Sequence, residues 1–482
     1  MVNMKINMKR RKKTSFHKSL FLLTMMKKNN FIRSSQPLVA MKKKKRTLVK
    51  KSSQQQQSIY LPDDCWEHVF TFLFIDDINK LYFKSLSLVS KHFLSITNRL
   101  IFSLQIYYPQ LSFLPRFFHR FSNLDSLDLW FGSHDLDPTI ALALRDRPSL
   151  KSLSIFRFDL KDANYFTSHY IDSFVSLKGL NSLKFWCSQI SNDLLYSIAR
   201  EGLPLKSFVL QNCTGYSFYG IYDLLSKCRG IRHLGLQGVD FLNNNHVSQL
   251  VLLLPDLVSI NLSKCSKLTE SALFSLIKNC HSLGEITMES IYDFTLEYTY
   301  SERKSVEISY ILKDFDVNPQ LKFLHLAHTS FINDETILLF ASVFPNLQLL
   351  DLSYCHGLSK KGICEVLSRC CKVKHLDLRH LNEVRGLKMN FIVHHLEVLD
   401  LSITSVDDKT LYEISKSCCG LLRLLLVWCE YITEKGAMHV IENCTQLKMI
   451  DLSYCDKVNI DAVVSMLSSR PSFEKINATL FW

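Results

Sequence analysis

A short apolar pattern, L-x-x-L-x-L, recurs along most of the chain, and 26 residues separate most of its copies. The spacing is 30 residues after Leu150, 38 after Leu283 and 23 to 25 at three other steps. The copies begin at Leu124, Leu150, Leu180, Leu205, Ile231, Leu257, Leu283, Leu321, Leu347, Val373, Leu396, Leu421, Leu447 and Phe473. A repeat this short cannot bury its apolar face alone, so the copies must stack on one another. Most of the 482 residues are therefore predicted to form one array rather than a series of globular cores.

The spacing within one copy predicts its local structure. Apolar residues at positions i, i+3 and i+5 suit a turn that leads into a short strand, with the last two side chains pointing inward and their neighbours outward. About ten residues later, segments such as residues 272 to 277 carry apolar side chains at helical steps. One strand and one helix per repeat, all in the same direction, predict an α/β fold in which a parallel sheet curls inside a layer of helices.

Ten of the fifteen cysteines fall at or within one residue of two fixed positions of the repeat. Five lie eight residues after a repeat start, namely Cys213, Cys265, Cys355, Cys429 and Cys455. Five more lie near the end of the predicted helix, namely Cys228, Cys280, Cys370, Cys418 and Cys444. No C-x-x-C spacing occurs, so buried structural thiols in a reducing compartment are expected, without metal or cofactor. Segments such as LVSINLSKCSKLTESALFSLIKNC look like cysteine-containing leucine-rich repeats of the ribonuclease-inhibitor-like class, and this resemblance covers residues 123 to 480.

Basic residues near the N-terminus account for the net charge of +13. Residues 1 to 57 hold 17 of the 58 Lys and Arg residues and no acid, which leaves 41 basic against 45 acidic residues in the remainder. The body lacks the surplus that a nucleic-acid groove requires, so nucleic acid is not expected as a partner. Residues 1 to 58 are predicted to be a disordered basic arm, whose clusters KRRKK and KKKKR are either nuclear-import signals or a solvated tail. The expected location is the nucleus, the cytoplasm or both, and no apolar run reaches the ~18 residues of a membrane span.

Residues 60 to 105 break the period and are predicted to form packed helices. Leu61 and Pro62, followed by Asp63 and Asp64, are typical of a helix start, and a further helical stretch is predicted over residues 81 to 96. The segment LPDDCWEHVFTFL followed by LSLVSKHFLSI resembles an F-box, a module that binds a Skp-type adaptor and through it a cullin. The resemblance implies adaptor-binding roles for Leu61, Pro62, Trp66, Val69, Phe70, Leu73, Leu88, Val89 and Phe93. The alternative is a helical cap on the first repeat.

The expected organisation is an arm at residues 1 to 58, an F-box at 59 to 105, a connecting cap at 106 to 122 and about 14 repeats at 123 to 482. The strand positions that point outward are the candidate substrate-binding surface, with Trp130, Phe156 and Trp186 early and His325, Arg379 and Arg423 later. The early aromatic residues are alternatively covered by the F-box. The insertion at residues 291 to 319 is a second candidate contact or a degenerate repeat. Asp407 and Asp408 are expected to be solvated loop residues.

No phosphate-binding loop, H-E-x-x-H or G-x-S-x-G motif occurs, so no catalytic residue is predicted. An F-box followed by such repeats resembles the F-box/leucine-rich-repeat family, especially its plant members. That resemblance implies a non-catalytic, substrate-recognition subunit of an SCF-type (Skp–cullin–F-box) ubiquitin ligase, with a Skp-type adaptor, a cullin and an unidentified protein substrate as partners. The alternative is a leucine-rich-repeat scaffold or inhibitor that works outside any ligase.

Overall fold

The computed structural model describes residues 4–7, 61–75, 81–107, 114–131, 138–147, 149–157, 168–291, 316–468, 470 and 473–478. The chain forms two compact units. The helical unit comprises Lys5–Leu104 and His119–Leu124, and the repeat unit comprises Met1–Met4, Gln105–Phe118 and Asp125–Trp482. Most of the predicted arm and residues 292 to 315 of the predicted insertion lie outside the described residues.

The strands form one sheet in which each strand lies beside its neighbour in the sequence. They are Met4–Asn7, Ser103–Tyr107, Ser126–Phe131, Ser152–Arg157, Ser182–Trp186, Ser207–Gln211, His233–Gln237, Ser259–Asn261, Glu285–Thr287, Phe323–His325, Leu349–Asp351, His375–Asp377, Val398–Asp400, Arg423–Leu425, Met449–Asp451 and Lys475–Asn477. Every pairing from Ser126–Phe131 onward is parallel. The predicted parallel sheet is confirmed, and the strand Met4–Asn7 is the described part of residues 1 to 58.

The repeat pattern explains why the strands stack. Leu350 and Leu352 are fully buried, while Asp351 between them lies on the opposite face of the strand and is half-buried. Leu350 pairs in register with Leu324 on one side and with Leu376 on the other. Equivalent apolar positions of successive repeats therefore form continuous buried rows, and their removal from water stabilises the array.

Helices follow the strands in most of the described repeats. In the repeat unit they are Pro138–Arg145, Ser168–Ser176, Asn192–Glu201, Phe218–Lys227, Asn244–Val251, Glu270–Asn279, Asp334–Val343, Lys360–Arg369, Asp408–Ser417, Glu434–Asn443 and Ile460–Leu467, and Leu114–Arg120 precedes the first repeat. The repeat that begins at Val373 has a 3₁₀ helix at Asn382–Val384 instead. That repeat is 23 residues long, three fewer than the usual 26, and the helix is the part of it that is shorter.

The helical unit contains three helices at Asp63–Ile75, Leu81–Ser87 and Lys91–Arg99. The first helix begins at Asp63, directly after Pro62, as predicted from Asp63 and Asp64. The single helical stretch predicted over residues 81 to 96 is wrong, because the helix ends at Ser87 and Ser90 caps the start of the next one. The Ser90 hydroxyl accepts a hydrogen bond of 3.0 Å from the backbone N–H of Phe93, which is the usual role of serine at a helix N-terminus.

A sharp turn follows each strand from the repeat at Leu180 onward. The residue seven positions after the repeat start has a positive φ, between 49° and 72°, in every described case. Cysteine stands at the next position in five repeats, and the Cys355 thiol donates a hydrogen bond of 3.1 Å to the backbone oxygen of Leu326 in the preceding repeat. Burial raises the pKa of Cys355 to about 12, so the side chain stays a neutral thiol that links neighbouring repeats.

A carboxylate or amide in the first turn of one helix binds the start of the next helix. Asp408 accepts hydrogen bonds from the backbone N–H of Thr433 at 2.7 Å and from its hydroxyl at 2.6 Å. Equivalent contacts join Asn192 to Ser217, Asn244 to Thr269 and Asp334 to Ser359. Gly436 follows Thr433 by three residues, and a Cβ there would collide with the Asp408 carboxylate. The prediction that Asp407 and Asp408 are solvated loop residues is wrong, since Asp407 caps the helix Asp408–Ser417.

Candidate functional site

Three aromatic rings form the centre of the helical unit. Ring centroids of Trp66 and Phe93 lie 4.8 Å apart, and Phe70 lies 5.0 Å from Phe93 and 5.9 Å from Trp66. Phe70 is only 1% exposed, and Trp66 and Phe93 are half-buried. Three of the residues predicted to bind an adaptor are therefore placed largely in the packing between the first and third helices.

Charged side chains bind the same two helices together. Arg99 donates to Asp63 at 2.6 Å and to Glu67 at 2.8 Å, and His92 Nε2 lies 2.6 Å from the second Asp63 oxygen. Hydrogen bonds from His92 and Arg99 hold the pKa of Asp63 below its ordinary value. Asp63 is the first residue of its helix, where a negative charge is also favoured by the helix dipole.

Among the residues of the helical unit whose side chains the structure describes, five large apolar ones are exposed, and we call them the exposed apolar set: Val69, Phe72, Leu73, Leu88 and Val89. Leu88 is 77% exposed and Phe72 is 72% exposed. Four of the five were predicted from the F-box resemblance, and Phe72 was missed. Phe72 lies three residues after Val69 on the same helix, so its i,i+3 spacing is the sequence signal that could have identified it. Of the other predicted positions, Leu61 is half-buried and Pro62 is exposed.

The early sheet face carries the aromatic cluster that the sequence predicted. Strand register places Phe156 between Trp130 and Trp186. The Trp130 and Phe156 rings stack at 3.9 Å with 5° between their planes, and Trp186 stands nearly perpendicular to both, at 87° and 90°. All three side chains are half-buried, so they pack mainly on one another and leave part of each ring accessible.

Tyr107 and Lys184 extend this cluster and were not predicted. Tyr107 stacks on Trp130 at 5.3 Å, and the Lys184 ammonium lies 5.6 Å from the centre of the Phe156 ring. Burial lowers the pKa of Lys184. Tyr107 precedes the first repeat and therefore has no place in the 26-residue pattern, whereas Lys184 occupies an outward strand position and could have been found from it.

The later sheet face is acidic around His325. His325 is only 6% exposed, and its ring nitrogens lie 3.9 Å from Glu285 and 4.0 Å from Glu289. Within the part of the chain that the structure describes, Glu289, His325 and Asp351 form the one group of three whose possible metal-ligand atoms lie within 4.8 Å of one another. This donor set is compatible with a divalent cation, and equally with a histidine held between carboxylates.

Arg379 lies within the acidic face rather than apart from it. Its guanidinium pairs with Asp377 at 2.7 Å and with Asp400 at 3.4 Å. Burial raises the pKa of Asp377, with a further contribution from the charge of Asp351, and burial together with Asp377 raises that of Asp400. Arg423, the other predicted basic contact, is exposed at the first outward position of its strand.

These features define a leucine-rich-repeat protein, in which units of one strand followed in most repeats by a helix stack on one another around continuous buried rows. No family model matches the chain. A segment of 141 residues is 27% identical to F-box/LRR-repeat protein 4 of Bos taurus, covering 28% of this chain and 22% of that protein. A segment of 337 residues is 23% identical to DNA repair protein rhp7 of Schizosaccharomyces pombe, covering 62% of this chain and 53% of that protein. The chain thus matches about half or less of each relative's length.

Among solved structures, the crystal structure of the yeast Rad7 and Elc1 complex contains a chain that superposes with a TM-score of 0.42 and 16% identity. The superposition covers 89% of this chain and 98% of that chain. Within the described residues, no helix is both long enough and apolar enough to cross a membrane.

Proposed function

We propose that this protein is the substrate-recognition subunit of an SCF-type (Skp–cullin–F-box) ubiquitin ligase. In this role the helical unit, as an F-box, binds a Skp-type adaptor that is attached to a cullin, and the repeats bind a protein substrate. The chain itself is not an enzyme. It supplies proximity, because it holds the substrate's lysines near a ubiquitin-charged enzyme that another subunit carries.

The exposed apolar set is the observation that carries the adaptor half of the proposal. In the described part of the helical unit, the rings of Trp66, Phe70 and Phe93 pack on one another, and Arg99 pairs with Asp63 and Glu67. The exposed apolar set is 42% to 77% accessible to water, so covering it gains part of the ~1.5–3 kcal/mol that full burial of each Val, Leu or Phe side chain provides. Several exposed large apolar side chains on one small folded unit are typical of a protein-binding surface.

The substrate half of the proposal rests on the open sheet face. Side chains at outward strand positions stand in register across neighbouring repeats, so a partner meets a continuous surface on rigid strands. The aromatic cluster around Trp130, Phe156 and Trp186 and the charged residues His325, Arg379 and Arg423 are its candidate contacts. The relative named F-box/LRR-repeat protein supports the combination of the two parts in one chain, and the relative named as a DNA repair protein is consistent with a nuclear location.

Co-purification with a Skp-type adaptor tests the proposal. We expect the wild-type chain to retain the adaptor and a Leu88→Asp, Val89→Asp double variant to lose it, because two charges then replace exposed apolar contacts without entering the core. Leu252→Asp is the matched control, since Leu252 is equally exposed but lies in the repeat unit. Absence of adaptor binding by a folded wild-type chain would instead favour a leucine-rich-repeat scaffold or inhibitor outside any ligase.

A further inference from the structure

The residue seven positions after the repeat start lies in the turn that follows each strand, and in the later repeats it is large. These side chains, which we call the rim ladder, are His328, Tyr354, His380, Ile403, Trp428 and Tyr454. All six have φ between 55° and 61°, a region that disfavours a residue with a Cβ and a β-branched residue such as Ile403 most of all. Asn212 and Gly238 occupy the same position in earlier repeats, so the turn itself does not require a large side chain.

The rim ladder is stacked and accessible. The rings of Tyr354 and His380 stack at 4.5 Å with 16° between their planes, and those of Trp428 and Tyr454 stack at 5.0 Å with 27°. Ile403 and Trp428 are exposed. Within the described residues, the buried Nδ1 atom of His380 has no hydrogen-bond partner. Strained backbone that presents exposed aromatic rings is typical of a binding surface rather than of a structural core.

The sheet face beside the rim ladder carries more charge than that of the preceding repeats. Outward strand positions from the repeat at Leu283 to the repeat at Leu396 carry five acids, namely Glu285, Glu289, Asp351, Asp377 and Asp400, against Arg379, and the next repeat adds Arg423. In the three repeats that begin at Leu205, Ile231 and Leu257, these positions hold no Asp, Glu, Lys or Arg. The crowded carboxylates therefore favour a positively charged partner at this part of the face.

We propose that the rim ladder and this acidic stretch of sheet together bind an extended segment of a partner protein that carries Arg or Lys side chains. The proposal rests on the substrate-binding role of the repeats and names the chemistry of the substrate segment. Guanidinium groups stack on Tyr354 and Trp428 and pair with the carboxylates, while aliphatic stems cover Ile403. Six ladder positions separated by ~4.8 Å span ~24 Å, which is the length of about seven extended residues.

Fluorescence anisotropy with the full chain and a fluorescein-labelled seven-residue peptide of alternating Arg and Leu tests this inference. We expect the peptide to bind, and the same peptide with Glu in place of Arg to bind at least about tenfold more weakly. Trp428→Asn and Tyr354→Asn each weaken binding of the Arg peptide about fivefold or more, because the stacking surface is removed. An Asp351→Asn, Asp400→Asn double variant weakens it similarly and makes it less dependent on salt.

Asparagine is the replacement at the rim because it tolerates positive φ, so these variants keep the turn and melt at the wild-type temperature or above. Lys264→Asn is the matched control, since Lys264 has φ of 62° at the same position of an earlier repeat. Its affinity for the peptide is expected to stay within about twofold of wild type. The proposal would be overturned if all rim and acidic variants bound the Arg peptide with the affinity of the wild type. It would also be overturned if the wild type bound the Glu peptide as tightly as the Arg peptide.

Two further experiments distinguish this inference from the adaptor-binding proposal and from a metal site. The Leu88→Asp, Val89→Asp variant should bind the Arg peptide normally, and Trp428→Asn should bind the Skp-type adaptor normally, so failure of one proposal is distinguishable from failure of the other. The peptide is also titrated with EDTA present. If binding disappears in EDTA and returns with Zn²⁺, the acidic stretch belongs to a metal held by Glu289, His325 and Asp351, and the basic-segment proposal is wrong.

Discussion

The buried cysteines serve as hydrogen-bond donors between repeats. Cys265, Cys355, Cys429 and Cys455 each donate to a backbone oxygen of the preceding repeat, at 2.9 to 3.2 Å. A small, weakly polar side chain meets both requirements of this site, since it fits a buried corner and satisfies a carbonyl group that no water can reach. The sequence predicted their burial from their fixed position in the repeat, but the hydrogen bonds depend on the stacking of neighbouring repeats.

Thiol labelling of the native chain with a disulfide reagent tests this role. All fifteen cysteines lie in the described part of the chain and are free, and Cys65, Cys371 and Cys419 are exposed. We expect these three to react fast, Cys187 and Cys364 more slowly, and the ten buried thiols only after unfolding, because burial keeps them protonated as well as inaccessible. Fast labelling of more than five thiols in a chain with a native circular dichroism spectrum would contradict the structure.

Some site residues could be predicted one by one and others could not. The family pattern identified Leu88 and Val89, which are exposed, but it also included Phe70, which the helical unit buries. Phe72 was missed because the first helix is apolar on more than one side and the pattern alone does not say which side faces water. His325 occupies the outward strand position that the pattern predicted, yet neighbouring side chains on the same face cover it.

The repeat-to-repeat contact at the helix starts illustrates how single residues fix an element. Gly436 lies against the Asp408 side chain and backbone, so Gly436→Ala forces the two helix starts apart and should cost ~1–3 kcal/mol of the free energy of unfolding. Gly230→Ala is the control, because its added Cβ meets only ordinary contact at 3.5 Å from the Leu205 oxygen. Urea denaturation measures both, and equal effects of the two substitutions would contradict the contact.

Acid should weaken the link between the first and third helices. The lowered pKa of Asp63 means that its ionised form contributes stability above its ordinary pKa of 3.8, and that this stability is lost as the pH falls through the lower value in the folded state. We expect Asp63→Asn to show less acid sensitivity than wild type. The measurement is the fluorescence of Trp66, which packs between these helices, in chains whose other four tryptophans are replaced by phenylalanine. An identical acid transition in both proteins would show that the Asp63 pairs with His92 and Arg99 contribute nothing.

The boundaries of helices and strands were predictable only where the sequence pattern itself marks them. The repeat phase placed the strands, because inward and outward residues alternate without ambiguity. The break at Ser90 was missed because Leu81–Ser87 and Lys91–Arg99 share a continuous helical periodicity, which a capping serine interrupts. The 3₁₀ helix Asn382–Val384 lies in a shortened repeat. The length of that repeat does not by itself predict whether the strand, the turn or the helix has fewer residues.

At the scale of the whole molecule, the 26-residue period was sufficient to predict the fold of the repeats. Nearest-neighbour stacking turns one local pattern into a complete parallel sheet, so a correct repeat start predicts the entire array. The strand Met4–Asn7 had no such signal, since it precedes any repeat and lies in a basic segment. The binding chemistry of the later face also appears only in the assembled array, where carboxylates from separate repeats lie side by side.

The proposed function requires that one molecule bind two partners at once. The measurement is the mass, by mass photometry, of a mixture of the full chain, a Skp-type adaptor and the Arg–Leu peptide fused to a carrier protein. We predict a complex of one copy of each, which loses only the adaptor in the Leu88→Asp, Val89→Asp variant and only the carrier in Trp428→Asn. Mutually exclusive binding, or a chain that never forms a complex with the adaptor, would contradict the proposal that this protein joins a substrate to a ligase.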